Sequence, residues 1–181
     1  IDADLRLWEE DESPSALVAA ALHETGATRL AVDPAMALLF VERLRAAAPS
    51  LDLVEASAIV DGCRMYKSAA ELALMQQAKS MTLEVQRRAA RILHPGIRAS
   101  EVARFLDQAH RAIGAPGGNG FVIVQFGRAS AFPHGLPGDA ELREGDVVLI
   151  DTGCVIEGYH SDITRTYVFG EPSAEQRRIW A

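Results

Sequence analysis

Residues 150–169 read IDTGCVIEGYHSDITRTYVF, and the organisation of the chain is decided there. Val147 to Asp151 is an apolar run of strand length, and Ile163 to Phe169 is another, with turn chemistry between them at Glu157 and Gly158. Strands this close in sequence pair antiparallel, because a parallel return needs a crossover of a dozen residues or more. Asp151 ends the first strand and Asp162 opens the second, with ten residues between them. A hairpin can set both carboxylates on one side of a sheet. Asp151, at the end of an apolar strand, is expected in a water-poor setting where a bare carboxylate is costly. A divalent cation is one remedy. Mn²⁺, Co²⁺ and Zn²⁺ all accept such oxygens, and two carboxylates do not choose among them. Two aspartates at strand ends also serve as turn and capping residues, so the pair alone leaves both readings open.

The flanking residues narrow the choice. Asp151-Thr152-Gly153, followed by Gly158-Tyr159-His160-Ser161-Asp162-Ile163-Thr164-Arg165-Thr166-Tyr167, closely resembles the metal-binding strand pair of the pita-bread metallopeptidases. That family includes prolidase, aminopeptidase P and methionine aminopeptidase. Upstream, Ala131-Phe132-Pro133-His134-Gly135 resembles the family's Pro-His-Gly segment, and Lys67-Ser68-Ala69-Ala70-Glu71 resembles the entry into its catalytic domain. The resemblance covers about residues 61–181 strongly and 1–60 weakly.

The resemblance implies that Asp151 binds one metal through both oxygens and that Asp162 bridges two. It implies that His134 faces the dimetal centre and hydrogen-bonds the substrate or tetrahedral intermediate; a histidine also suits proton handling near neutral pH. Thr164, which alternates onto the face of Asp162, is implied to orient a metal carboxylate, although a β-branched strand former explains it equally well. His160, two residues before Asp162, is a candidate to line the site. The family pattern needs one further His and two further Glu. After Asp162 the sequence holds Glu171 and Glu175 and no His.

The expected fold is therefore α+β: the first half of a pita-bread (creatinase/aminopeptidase-like) domain with an antiparallel sheet and helices over 61–181, preceded over 1–60 by the C-terminal part of a smaller α/β domain. The implied activity of the completed protein is metal-dependent hydrolysis of Xaa-Pro peptide bonds, of the Xaa-Pro dipeptidase (prolidase) or aminopeptidase P type, with two divalent ions (Mn, Co or Zn) as cofactors. The implied partners are a short proline-containing peptide, the second half of the catalytic domain and a second copy in a homodimer. The 181 residues alone are expected to be inactive. The alternative is a metal-free pita-bread binding or scaffold protein, or a creatinase-like C–N hydrolase; retention of Asp151 and Asp162 argues against both.

Composition supports this class. The net charge is −7 and hydrophobic residues make up 49% of the chain. The acidic balance argues against a nucleic-acid surface, and no apolar run is long enough to span a membrane. Two cysteines, Cys63 and Cys154, are too few for a disulfide framework and point to a reduced cytoplasmic location. Cys154 with His160 or His134 is a second chemical candidate, but no visible helix N-terminus or adjacent cation would generate its thiolate. An N-terminus at Ile1, without an initiator Met or a secretory leader, reads as a fragment or a processed product.

Elsewhere the pattern is helical or strand-like by turns. Ser13 caps a helix whose first residue is Pro14. Arg29 to Asp33 reads as a strand, Pro34 as the start of a helix through Arg45, and Leu51 to Glu55 as a second strand. Ser68 and Glu71 form a capping box ahead of a long helix with Leu74, Ala78, Met81, Val85, Ala89 and Ile92 on one stripe, ending at Pro95-Gly96. A second helix runs from about Ser100 to Ile113, closed by Gly114. Phe121 to Phe126 is a strand, and Ser173 with Gln176 opens a last helix. His23, His94 and His110 fall on helical patterns and are expected at the surface.

Overall fold

A computed structural model describes residues 4–180. The chain divides into two compact units, one ending at Tyr66 and the other beginning at Lys67. The division lies beyond residue 61 because Ser57–Met65 is one uninterrupted helix that carries the first unit through that position.

The first unit contains α1 (Pro14–Glu24), β1 (Arg29–Val32), α2 (Leu38–Ala47), β2 (Asp52–Glu55) and α3 (Ser57–Met65). Ser13 caps α1 by accepting a hydrogen bond from the Ala16 amide, with Pro14 at the first helical position, where its missing N–H costs nothing. The strands β1 and β2 pair in parallel, Arg29 opposite Asp52 and Val32 opposite Glu55, with α2 as the crossover. Pro34 does not begin that helix. Asp33 instead closes a turn over it, its carboxylate accepting from the Ala35 amide at 2.7 Å and its carbonyl from the Met36 amide at 2.9 Å. Asp side chains compete for backbone donors in this way, so the helix starts only at Leu38.

The second unit opens with α4 (Ala69–Ile92) and α5 (Ala99–Ala112). The capping box is present at the start of α4: Ser68 Oγ accepts from the Glu71 amide, and the Glu71 carboxylate accepts from the Ser68 amide. A three-stranded antiparallel sheet follows, in the order β3 (Phe121–Phe126), β4 (Val147–Gly153), β7 (Ile163–Val168). Between β4 and β7 a small hairpin, β5 (Val155–Ile156) and β6 (Tyr159–His160), projects as its own two-stranded sheet. Its turn holds Glu157 at φ 48° and Gly158 at φ 83°. Two consecutive left-handed residues match the twist of a two-residue hairpin, and glycine supplies the second without strain. Finally, α6 (Ala174–Trp180) begins at a capping box of Ser173 and Gln176.

The helices α4 and α5 pack on one side of the sheet. Val148, Ile150 and Thr152 alternate onto the buried face of β4, while Val147, Leu149 and Asp151 take the other. The buried face meets α4 and α5 in a core of Val85, Ala89, Val102, Leu106, Phe126, Val148 and Ile150. Fully burying one such aliphatic side chain stabilises by about 1.5–3 kcal/mol. Helices over one face of an antiparallel sheet make this unit α+β.

Candidate functional site

Asp151 stands opposite Thr164 in the β4–β7 ladder. Residues directly opposed share a face, and the Thr164 hydroxyl donates to Asp151 Oδ1 at 2.7 Å. Asp162 lies two residues before Thr164, so strand alternation returns it to that face. It is the diagonal neighbour of Asp151, a relation that in sheets corresponds to about 7–8 Å between backbones. The two carboxylates and the hydroxyl thus sit together on the face turned away from the helices. Asp151 is half-buried and Asp162 exposed, so Asp151 does not lie in a water-excluded interior as its apolar strand suggests. The alternation of β4 turns Ile150 and Thr152 inward and the aspartate outward.

Gly153 fixes the approach of the two segments. A Cβ at this position would overlap the Ser161 carbonyl oxygen and lie 2.7 Å from its carbon, both backbone atoms. The segment leading into Asp162 therefore passes the end of β4 at a distance only glycine allows.

His134 is exposed, in the loop after the 3₁₀ turn Gly127–Ala131. It lines a cleft of about 240 Å³ together with Ile123, Gln125 and Leu136. Ile123 is the cross-strand neighbour of Asp151 on β3, so this cleft opens beside the aspartate. The loop is tied down by Gln125, whose buried amide donates to the Phe132 carbonyl at 3.0 Å. His160 is exposed at the end of β6, opposite Val155. Among the described residues it makes no hydrogen bond to Asp151, Asp162 or His134.

On the opposite face lies a polar layer that sequence reasoning missed. His110 is fully buried rather than at the surface. Its Nε2 is 3.1 Å from Thr82 Oγ1, and Thr82 Oγ1 is 2.8 Å from Ser161 Oγ. The Ser161 hydroxyl accepts from the Cys154 amide at 3.0 Å. The Asn119 amide satisfies its surroundings with its nitrogen toward the Leu106 carbonyl and His110 Nδ1. His110 then carries its proton on Nε2, directed at Thr82. Burial pushes the His110 pKa below the ordinary imidazole value, which keeps the ring neutral. Gln86, one turn after Thr82 on α4, is also buried and donates to the Ile150 and Ile163 carbonyls. The signal for this layer is two uncharged polar residues, Thr82 and Gln86, four apart on the helix face that also carries Ala78, Val85 and Ala89.

Cys154 belongs to this buried layer, fully enclosed, with its sulfur 3.6 Å from Thr82 Oγ1 and from the Ala78 carbonyl. A substrate cannot reach it, which removes the cysteine nucleophile. Among the described residues no group of three or more His, Cys, Asp and Glu gathers as a metal-holding cluster. Asp151 and Asp162 form a pair, and their hard oxygens, one already oriented by a hydroxyl, fit a divalent cation. No helix among the described residues is long and apolar enough to cross a membrane.

Residues 73–181 match metallopeptidase family M24. The chain is 28% identical over 155 residues to an Xaa-Pro dipeptidase of Pyrococcus horikoshii, covering 86% of this chain and 44% of that protein. The fold superimposes on an Xaa-Pro dipeptidase from Bacillus anthracis with a TM-score of 0.86 at 27% identity, covering 94% of this chain and 48% of that one. It superimposes on the dipeptidase PepE from Mycobacterium ulcerans with a TM-score of 0.81 at 37% identity, covering 94% and 45%. The chain thus spans about half the length of the relatives it matches.

Proposed function

Because the chain belongs to metallopeptidase family M24, we propose that the protein it forms part of hydrolyses Xaa-Pro bonds in dipeptides or short peptides, with two divalent ions held in part by Asp151 and Asp162. The observation that carries this reading is the Thr164–Asp151 hydrogen bond on the same sheet face as Asp162. A carboxylate whose rotamer is already set loses less freedom when it ligates.

Divalent ions, when bound, supply Lewis-acid polarisation of the scissile carbonyl. The protein's own part is placement and proton handling. Asp151 offers the oxygen that Thr164 leaves unoccupied, and Asp162 faces the same space from β7. His134, which lines the cleft beside Ile123, is the residue we assign to hydrogen-bond the scissile carbonyl oxygen as charge develops there, an interaction stronger in the transition state than in the bound substrate. The remaining ligands, one His and two Glu, are assigned to the part of the protein beyond these residues. The proposed setting is the cytoplasm.

The test is to purify the full-length protein, remove metal with a chelator, and assay Ala-Pro and Ala-Ala with Mn²⁺, Co²⁺ or Zn²⁺ restored. Cleavage of Ala-Pro that depends on metal and exceeds that of Ala-Ala supports the proposal. A protein that binds no metal and cleaves neither would be a binding module on the same fold, and the proposal would be wrong.

A further inference from the structure

We infer that Gln86 is a positioning residue for the carboxylate pair, holding the backbones beside Asp151 and Asp162 from beneath the sheet; this rests on the metal-site reading above. Its Nε2 donates to the Ile150 carbonyl at 3.1 Å and to the Ile163 carbonyl at 3.0 Å. Ile150 directly precedes Asp151, and Ile163 directly follows Asp162. One NH₂ group therefore spends both its hydrogens on two different strands, each time at the residue adjoining an aspartate.

The orientation of the amide is fixed, because turning it would set its oxygen against two carbonyl oxygens. Gln86 is 5% exposed, and its Oε1 has no hydrogen-bond partner among the described residues. A buried acceptor left unpaired is unfavourable, and an apolar side chain of similar shape would avoid it. Packing alone therefore does not account for an amide here. What the amide adds is distance control, since N–H···O contacts hold within a few tenths of an ångström. One turn earlier Thr82 acts alongside it. Its hydroxyl meets Ser161 Oγ at 2.8 Å, and Ser161 directly precedes Asp162. Thus α4 grips the chain on both sides of Asp162 and on the near side of Asp151. Neither Gln86 nor Thr82 lies on the carboxylate face, so neither touches substrate or metal; they act through the strands.

The experiment uses the full-length protein with three substitutions. Gln86→Met keeps the volume and removes the donor. Gln86→Asn keeps the amide and shortens its reach. Val85→Ala, in the adjoining core, destabilises the same helix without touching the strands' carbonyls. Co²⁺ binding is read by calorimetry and by the visible spectrum of the bound ion, and amide hydrogen exchange over 147–153 and 163–168 is read in the metal-free protein. Gln86→Met is expected to weaken Co²⁺ binding about tenfold, to alter the spectrum, and to speed exchange in those two segments beyond the Val85→Ala control. Its kcat should fall while KM changes little. Equal affinity, spectrum and local exchange in Gln86→Met and Val85→Ala would overturn the inference. If Gln86→Met does not fold, Gln86→Asn is judged by the same readouts and the same rule. A wild-type protein that binds no Co²⁺ would instead overturn the metal-site reading, and exchange in the metal-free variants would then decide the role of Gln86 by itself.

Discussion

The phenolic hydroxyl of Tyr159 donates to Glu71 Oε1 at 2.7 Å, joining the hairpin between the two aspartate strands to the first turn of the long helix α4. Glu71 serves two structures at once, since its other oxygen completes the capping box with the Ser68 amide. The Tyr159 hydrogen bond, then those from Ser68, hold the Glu71 carboxyl at about 2, below its ordinary 4.5.

A depressed carboxyl pKa gives stability that is present above the unfolded-state value and lost as pH falls through the folded-state value. Here that window runs from 4.5 down to about 2. Tyr159→Phe should therefore lower Tm at neutral pH, and the gap from wild type should narrow as pH falls through this window. Melting curves of both proteins across the window check it, and a gap that stays constant with pH would show that the hydroxyl contributes only through packing.

Tyr167 gives the opposite limb. Its hydroxyl is buried without a hydrogen-bond partner among the described residues, and burial pushes its pKa up to about 12 from 10.0. A raised pKa means stability present below 10 and lost as pH rises toward 12. Tyr167→Phe removes an unpaired buried hydroxyl and should raise stability by about 1 kcal/mol. It should also flatten the alkaline decline, as measured by urea unfolding at neutral and alkaline pH.

Thr164→Val keeps the β-branched shape and removes the hydroxyl that orients Asp151. The strand should persist, because valine suits a sheet as well as threonine. Metal affinity of the full-length protein should fall about 10- to 100-fold, and Thr164→Ser should recover most of it. Titration calorimetry with Mn²⁺ separates this from threonine acting only as a strand former, for which valine would bind metal normally.

His134→Ala should leave metal content unchanged in the full-length protein and lower kcat about 10²- to 10³-fold, with a smaller change in KM. Metal analysis alongside steady-state kinetics checks both halves. Loss of bound metal in this variant would make His134 a ligand instead.

Local rules are enough for the capped helix starts, though not for the turn that Asp33 closes over Pro34. Ser13, the Ser68–Glu71 box and the Ser173–Gln176 box are caps written within four residues, and all three are present. The antiparallel strands were equally legible from their spacing. Helix α3 escapes the sequence reading because its sequence, SAIVDGCRM, is only nine residues long, begins without a side-chain cap at Ala56 and carries a glycine in its interior. Along its own helix His110 has no partner for Nε2 and so reads as a surface residue; Thr82 and Asn119, which come from elsewhere in the chain, satisfy its ring and allow it to be buried. Gln86 is the same case. Its function depends on carbonyls 64 and 77 residues away, and no pattern along one helix reports that.

Gly153 carries a consequence for any sequence built on this fold. Its backbone is not in the left-handed region, so the demand for glycine comes from the Ser161 backbone pressing against it. The residue behaves as a spacer. A side chain there would push Ser161 away and take Asp162 with it, parting the two carboxylates while leaving both aspartates in the sequence. Descendants of this chain could thus lose the proposed metal site without losing either aspartate. The glycine is therefore to be read together with the aspartates when asking which members of such a lineage keep the two carboxylates side by side.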